Sequence, residues 1–430
     1  MHITIIGAGL AGAEASYQLA SRGVKVTLIE MRPIKHSPAH QTDRAAELVC
    51  SNTFRSNDLK NAVGVMKEEM RQWDSLIIRC ADKHRIPAGG ALAVDREGFS
   101  SCVHQALSDH PNITLKHEIV ENIPEGPTII ATGPLTDDAL MQDIKRFTGE
   151  ESAYFYDAAA PILDASTINT DICFRKSRWD EENEGDYLNC PMNEEEYKAF
   201  YEALINAETA PIKDFELKVF EGCMPIEEMA RRGEQTMLFG PLKPVGLMHE
   251  GVKHHAVIQL RQDDARQTMY NVVGFQTHLK FGEQKRILRM VPGLENAEII
   301  RYGVMHRNSF INAPNVLNAH YQTKQRDDLW MVGQLAGVEG YVESAASAIV
   351  AAQSAYAYLT NTQTKPFPMH SVIGAQADYI AHAPIKHFQP MNANFGLLPA
   401  LEERHHKKER KALMAKRALE AMKRFRHERP

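Results

Sequence analysis

Apolar and polar positions fall into short blocks along the chain, and the first block is the most regular. Met1–Ile6 reads as an apolar strand, Gly7-Ala-Gly9-Leu-Ala-Gly12 as a turn, Ala13 to Arg22 as a helix, and Val24–Ile29 as a second strand ending in Glu30. Strand, glycine turn, helix and strand make a βαβ unit. Downstream, His36 to Asp58 is polar without sustained periodicity and predicts loop with short helical turns. Gly89–Ser100 predicts a strand and turn leading into a helix, with Arg96 at the junction, and Pro127–Gly133 predicts another apolar strand. From about Glu151 to Met305 acidic, aromatic and proline-containing stretches mix with short strands, which predicts an inserted domain. The apolar strand Leu329–Val332 then returns to the first architecture, followed by the glycine-rich run Gly333–Gly340 and a small-residue helix from Glu343 to Tyr358.

The expected organisation is therefore a nucleotide-binding part over 1–150, an α+β insertion over 151–304, a returning part over 305–400, and a basic helix or tail over 401–430. The glycines carry the first chemistry. Gly7 allows a tight turn, Gly9 lets a pyrophosphate approach the backbone, and Gly12 lets the helix pack closely. Ala8, Leu10 and Ala11 complete that loop, and Glu30 falls where an acidic side chain binds ribose hydroxyls. The second glycine-rich run, with Gly333, Gln334, Gly340 and Tyr341, precedes a helix N-terminus suited to a phosphate or a flavin ring. Arg96 is a further candidate cofactor contact. No second G-x-G-x-x-G follows a strand, so a dedicated nicotinamide domain is not expected, and NAD(P)H would dock in the substrate cleft.

Composition narrows the classes. The chain has 43% hydrophobic residues over 430 positions, enough for a large core. It contains no apolar run of membrane-spanning length and starts directly with a strand, so a membrane protein and a signal peptide are not expected. Cysteines 50, 80, 102, 173, 190 and 223 form no C-x-x-C pair, which argues against structural zinc and a secreted disulfide framework and for a reducing cytoplasm. The formal charge of −6 argues against bulk electrostatic coating of nucleic acid. The stretch from Arg404 is nevertheless rich in lysine and arginine, either as a solvated helix or tail or as a phosphate-contacting helix.

Glu216–Ala230 runs from strand-like alternation through Gly222 into Cys223, then a helix opened by Pro225. Proline favours the first helical position, and the helix dipole would stabilise a thiolate at the preceding turn. Cys223 is thus either a reactive thiol or a small buried apolar residue.

Two resemblances sharpen this. The strand ending in Ala131-Thr-Gly133 resembles the one passing beneath the adenine dinucleotide in glutathione-reductase-type flavoproteins, which implies FAD in an α/β, Rossmann-type domain. Glu47–Asn52, Val219–Ala230, Phe239–Leu247, Gly333–Ser344 and Asn392–Pro399 together resemble the TrmFO family of folate- and FAD-dependent tRNA uracil-5-methyltransferases. The resemblance runs from the first strand to about Pro399. It departs at Met224, where leucine is expected, and at Met369–Gly374. It implies methylation of the T-loop uridine at tRNA position 54, with 5,10-methylenetetrahydrofolate as carbon donor, reduced FAD as hydride donor and NAD(P)H as reductant. It also implies that Cys223 adds to uracil C6 and that Cys50 removes the C5 proton, and it implies no obligate protein partner. The same chemistry on a ribosomal RNA uridine, and a thiol-disulfide flavin oxidoreductase using Cys50 and Cys223, remain alternative readings.

Overall fold

A computed structural model describes residues 1–427 except 38, 150–152, 179–184, 212–223 and 403. Its centre is a five-stranded parallel sheet in the order Leu329–Met331, Thr128–Ile130, His2–Ile6, Lys25–Glu30, Ile113–His117. The expected βαβ unit is present, with the helix at Leu10–Ala20, three residues earlier than its apolar pattern suggests. The shift has a physical reason: the helix begins on the glycine loop itself, with Gly9 as its N-cap. Its small residues, Ala11, Gly12, Ala13 and Ala15, pack against Ala345, Ala348 and Ala352 of the helix Tyr341–Leu359. Short side chains on both partners let the two backbones approach.

A six-stranded antiparallel sheet lies between the two parts of the parallel sheet in sequence. Its order is Phe174–Arg175, Tyr187–Met192, Ala256–Gln262, Met269–Val272, Ile162–Asp164, Ile299–Arg301. It has its own apolar cluster, including Leu163, Leu188, Tyr197, Phe200, Ile258 and Leu260. An antiparallel ribbon, Ala153–Ala158 against Met305–Phe310, carries the chain out and back. A small third sheet joins Thr53–Ser56, Ala91–Val94 and Arg85–Ile86, so part of the expected polar loop is strand.

Two further expectations change. Cys80 and Cys102 are joined as a disulfide between the helices Leu76–Lys83 and Arg96–Ser108, although a single bridge is not a disulfide framework. The basic C-terminal stretch is no frayed tail, because Arg410–His427 is a helix that buries Met414, Ala418, Met422 and Phe425 in one stripe. Phe425 packs between Trp73 and Phe367, and the Trp73 Nε1 donates to the Met422 sulfur at 3.0 Å. Among the described residues no helix is long and apolar enough to cross a membrane.

Phe425→Ala should therefore destabilise the protein by about 3 kcal/mol, the usual cost of emptying an aromatic site in a core. Urea unfolding checks this, and a cost within about 0.5 kcal/mol of zero, the range of ordinary surface substitutions, would mean that the helix is not docked.

Candidate functional site

The C-terminal ends of the parallel strands open into one cleft of about 1050 Å³. Gly7 and Gly9 follow the first strand, Glu30 ends the second, Glu118 follows the edge strand, Ala131–Gly133 follow Thr128–Ile130, and Gly333 and Gln334 follow Leu329–Met331. This is where open α/β sheets bind ligands.

The glycine loop fits a dinucleotide phosphate. Gly7 has φ +95°, and a Cβ there would stand 2.7 Å from the Ala131 carbonyl oxygen. A Cβ on Gly12 would collide with the Gly7 carbonyl, so both positions are needed to build the turn. Gly9 differs, with an ordinary φ of −70° and nothing within 4 Å of where its Cβ would stand. Its space is kept open towards the cleft, at the N-cap of a helix whose first amides point the same way. Glu30 accepts from the Ala8 amide at 2.8 Å and from Arg32 Nε at 2.8 Å. Burial pushes its carboxyl up, but the Arg32 hydrogen bond and charge outweigh this and hold it below the ordinary carboxylate value.

The expected cofactor residues divide. Gly7, Gly9, Leu10, Ala11, Glu30, Gly333, Gln334 and Tyr341 line the cleft, whereas Ala8, Gly12 and Gly340 support it from behind. Arg96 does not line it. Its guanidinium is held by Asp263 at 2.8 and 3.2 Å, by the Cys50 carbonyl at 2.9 Å and by the Leu48 carbonyl. Arg32, His40, Glu47 and Thr132 line the cleft unanticipated. Burial and the Arg32 charge push His40 down to about 4, keeping it neutral in the cleft wall near pH 7. Thr132 was within reach of the sequence, since it sits in the same post-strand run as Ala131 and Gly133.

Cys50 borders this cleft. Val49 and Tyr341 line it, and the Cys50 amide donates to the Tyr341 phenol oxygen at 2.9 Å. Three arginines hold the loop around Cys50. Besides Arg96, Arg261 donates to Ser51 Oγ at 2.8 Å and Asn52 Oδ1 at 3.0 Å, and Arg301 donates to the Ala39 and Val49 carbonyls at 3.1 and 3.0 Å.

Cys223 lies outside the described residues, but the chain just after it is well anchored. The Ile226 amide donates to the Gln276 carbonyl at 2.7 Å. The buried Glu227 carboxylate accepts from Thr277 Oγ1 and the His278 amide, both at 2.8 Å. Pro225 is the N-cap of the helix Ile226–Arg231 and not its first residue. That helix has six residues, begins with Glu227 and Glu228, and has its first amide already engaged. It is a weaker source of positive potential for a thiolate than the sequence suggested.

Gly9→Leu should fold normally and emerge without bound flavin, since the side chain would fill the space left at the loop. Urea unfolding with absorbance at 450 nm tests this, and full flavin retention would remove the loop from the cofactor site.

Comparison with known proteins agrees with this geometry. The chain is 58% identical over 429 residues to the methylenetetrahydrofolate–tRNA-(uracil-5-)-methyltransferase TrmFO of Exiguobacterium sibiricum, covering 98% of this chain and 99% of that one. It is 60% identical over 430 residues to the TrmFO of Listeria monocytogenes serotype 4b, covering 99% of each. A solved structure of Aquifex aeolicus GidA shares the fold, with a TM-score of 0.69 at 15% identity over 98% of this chain and 73% of that one. Residues 2–363 match the family described as Glucose inhibited division protein A. With such identity along nearly the full length of its relatives, the chain belongs to the TrmFO group of the Glucose inhibited division protein A family.

Proposed function

We propose that this protein methylates C5 of a tRNA uridine, the T-loop residue 54, with methylenetetrahydrofolate as carbon donor, acting in the cytoplasm. The observation that carries the reading beyond family membership is the meeting of two chemistries at one place. Residues flanking and touching Cys50, Val49 and Tyr341, line the same cleft as the dinucleotide loop Gly7–Gly12. The alternative of a ribosomal RNA uridine uses the same groups, and the names of the full-length relatives favour tRNA. We assign the six-stranded sheet and its helices, 151–304, as an insertion that carries Cys223 to this cleft.

Bound FAD, reduced by NAD(P)H, supplies the electrons that turn a methylene into a methyl group. The residues of the chain do the rest. Uracil C5 becomes nucleophilic only after a thiolate adds at C6, the part assigned to Cys223. The resulting enolate attacks the methylene carbon through C5, and the Cys50 thiolate then takes the C5 proton. Loss of that proton lets the C6–S bond break with return of the electron pair to Cys223. The Gly7–Gly12 loop and Glu30 hold the dinucleotide, while Gln334 and Tyr341 form the wall facing it. The uridine must leave its stack in the T-loop to expose both carbons.

A chain of short contacts supports bringing the two thiols together. Ile226 is tied to Gln276, Thr277 donates to the Ala159 carbonyl, and the Ala159 amide donates to Val304. Three residues before Val304, Arg301 grips the Val49 carbonyl beside Cys50. The ends of the Cys223 segment and the Cys50 loop are thus anchored to one part of the second sheet.

Cys223→Ala should reduce methyl transfer to background and abolish the covalent adduct with 5-fluorouridine tRNA. Cys50→Ala should lower the rate by about 10²–10⁴, the usual worth of a positioned base, while still trapping RNA. Normal methyl transfer by Cys223→Ala would refute the assignment, and exchange of the two phenotypes would reverse the roles.

Lys407, Lys408, Arg410 and Lys411 are exposed on and before the C-terminal helix. If they neutralise RNA phosphates, changing all four to glutamine should lower the slope of log affinity against log salt by about 0.7–0.9 for each phosphate no longer neutralised, with flavin retained. An unchanged slope would assign them to solvation only.

A further inference from the structure

We propose that Arg261 is a positioning residue for the reaction: its guanidinium keeps Cys50 as a thiolate at neutral pH, so that the thiol can act as a base without a histidine or carboxylate partner. The inference rests on the assignment of Cys50 as the base.

Arg261 ends the longest strand of the second sheet and is 7% exposed. Buried charges are normally paired. Arg96 follows that rule through Asp263, whereas Arg261 has no carboxylate within ion-pair distance among the described residues. Its partners are neutral: Ser51 Oγ at 2.8 Å, Asn52 Oδ1 at 3.0 Å and Asn271 Oδ1 at 3.5 Å. Two of these directly follow Cys50. Asn52 is itself pinned, its Nδ2 donating to the Val94 and Gln262 carbonyls at 3.0 and 3.1 Å, so the guanidinium and the Cys50 loop cannot drift apart.

The charged and titratable groups facing Cys50 are Arg96, Arg261 and Arg301, with Asp263, Glu47 and the Tyr341 phenol. Asp263 offsets Arg96, and Glu47 accepts from Arg32 and from the Gln41 and Thr42 amides. What remains is a net positive environment. Burial lowers the proton affinity of Arg261, and a thiolate at Cys50 raises it again; the reciprocal effect favours the thiolate. Low-pKa cysteines are found beside such cations. A cation without a carboxylate of its own would otherwise be a costly feature of a core.

The test is the pH dependence of Cys50 alkylation by iodoacetamide in the FAD-loaded enzyme, followed on the Cys50 peptide by mass spectrometry. In the unaltered protein the midpoint should lie at least one unit below the ordinary thiol value of about 8.5. A midpoint at or above that value overturns the proposal without any variant. Arg261→Met should raise the midpoint by about one unit and slow alkylation at pH 7 roughly tenfold, with methylation recovering as pH rises towards 9. Arg261→Lys, which keeps the charge and loses the fork, should fall between. A flavin-loaded Arg261→Met with the unaltered alkylation profile overturns the proposal. Failure of the base assignment is seen separately, as methylation surviving in Cys50→Ala, and leaves the alkylation profile unaffected.

Discussion

Two apolar cores meet at the loop between Ala39 and Asn52, and buried guanidinium groups hold them there. Arg96 comes from the helix behind the small third sheet, while Arg261 and Arg301 come from two strands of the six-stranded sheet. All three donate to carbonyls or side chains of this one loop. Arginine suits the task because its planar fork satisfies several acceptors at once and stays charged when buried. A loop with no regular hydrogen-bond ladder is thereby fixed as firmly as a strand. The cleft beside it keeps its shape because Val49, part of the same loop, is one of its walls.

How much of this the sequence reveals depends on how far apart the cooperating residues lie. The glycine loop is legible because its turn, its open position and its close helix contact fall within six residues and follow directly from missing side chains. The parallel sheet is legible for the same local reason, since each strand is a short apolar run with a turn behind it. The arginine clamp is not. Arg261 and Asn52 are separated by 209 residues, Arg301 and Val49 by 252, and nothing in the neighbourhood of either arginine distinguishes it from a surface one. Arg96 shows the consequence. Its place at a helix start made it a candidate cofactor contact, yet its donors are spent on Asp263 and the Cys50 loop. The C-terminal helix shows another limit. Its lysines and arginines dominate the composition, and the stripe Met414, Ala418, Met422 and Phe425 that docks it is easily passed over.

Tyr341 connects the two halves of the site. It opens the helix Tyr341–Leu359, lines the dinucleotide cleft, and accepts the Cys50 amide. Two residues on, the fully buried Glu343 pairs with Arg55 and accepts the Ala393 amide at 2.7 Å, tying the returning chain to the third sheet and to the loop at Asn392. The Asn392 amide group in turn donates to the Glu339 carbonyl at 2.8 Å. The first turn of this one helix is therefore in register with the cleft, the cysteine loop and the segment before Pro399. Displacing it would disturb all three together.

The positive charges of an overall acidic chain are used in two opposite ways. Around Cys50 they are buried, few and fixed by hydrogen bonds, so water and salt screen them little and their effect is confined to one thiol. Along the C-terminal helix they are exposed and numerous, with Lys407, Lys408, Arg410, Lys411, Lys416, Lys423 and Arg424 in solvent. Charges of that kind act over about a Debye length and release counterions when phosphates replace them, which suits long-range capture of a polyanion. Arg417 stands between the two uses, on the same helix but turned inward to donate to the Pro399 and Ala400 carbonyls. A single helix thus presents cations to solvent on one face and, through one arginine on its flank, fixes the chain that leads back to the cleft.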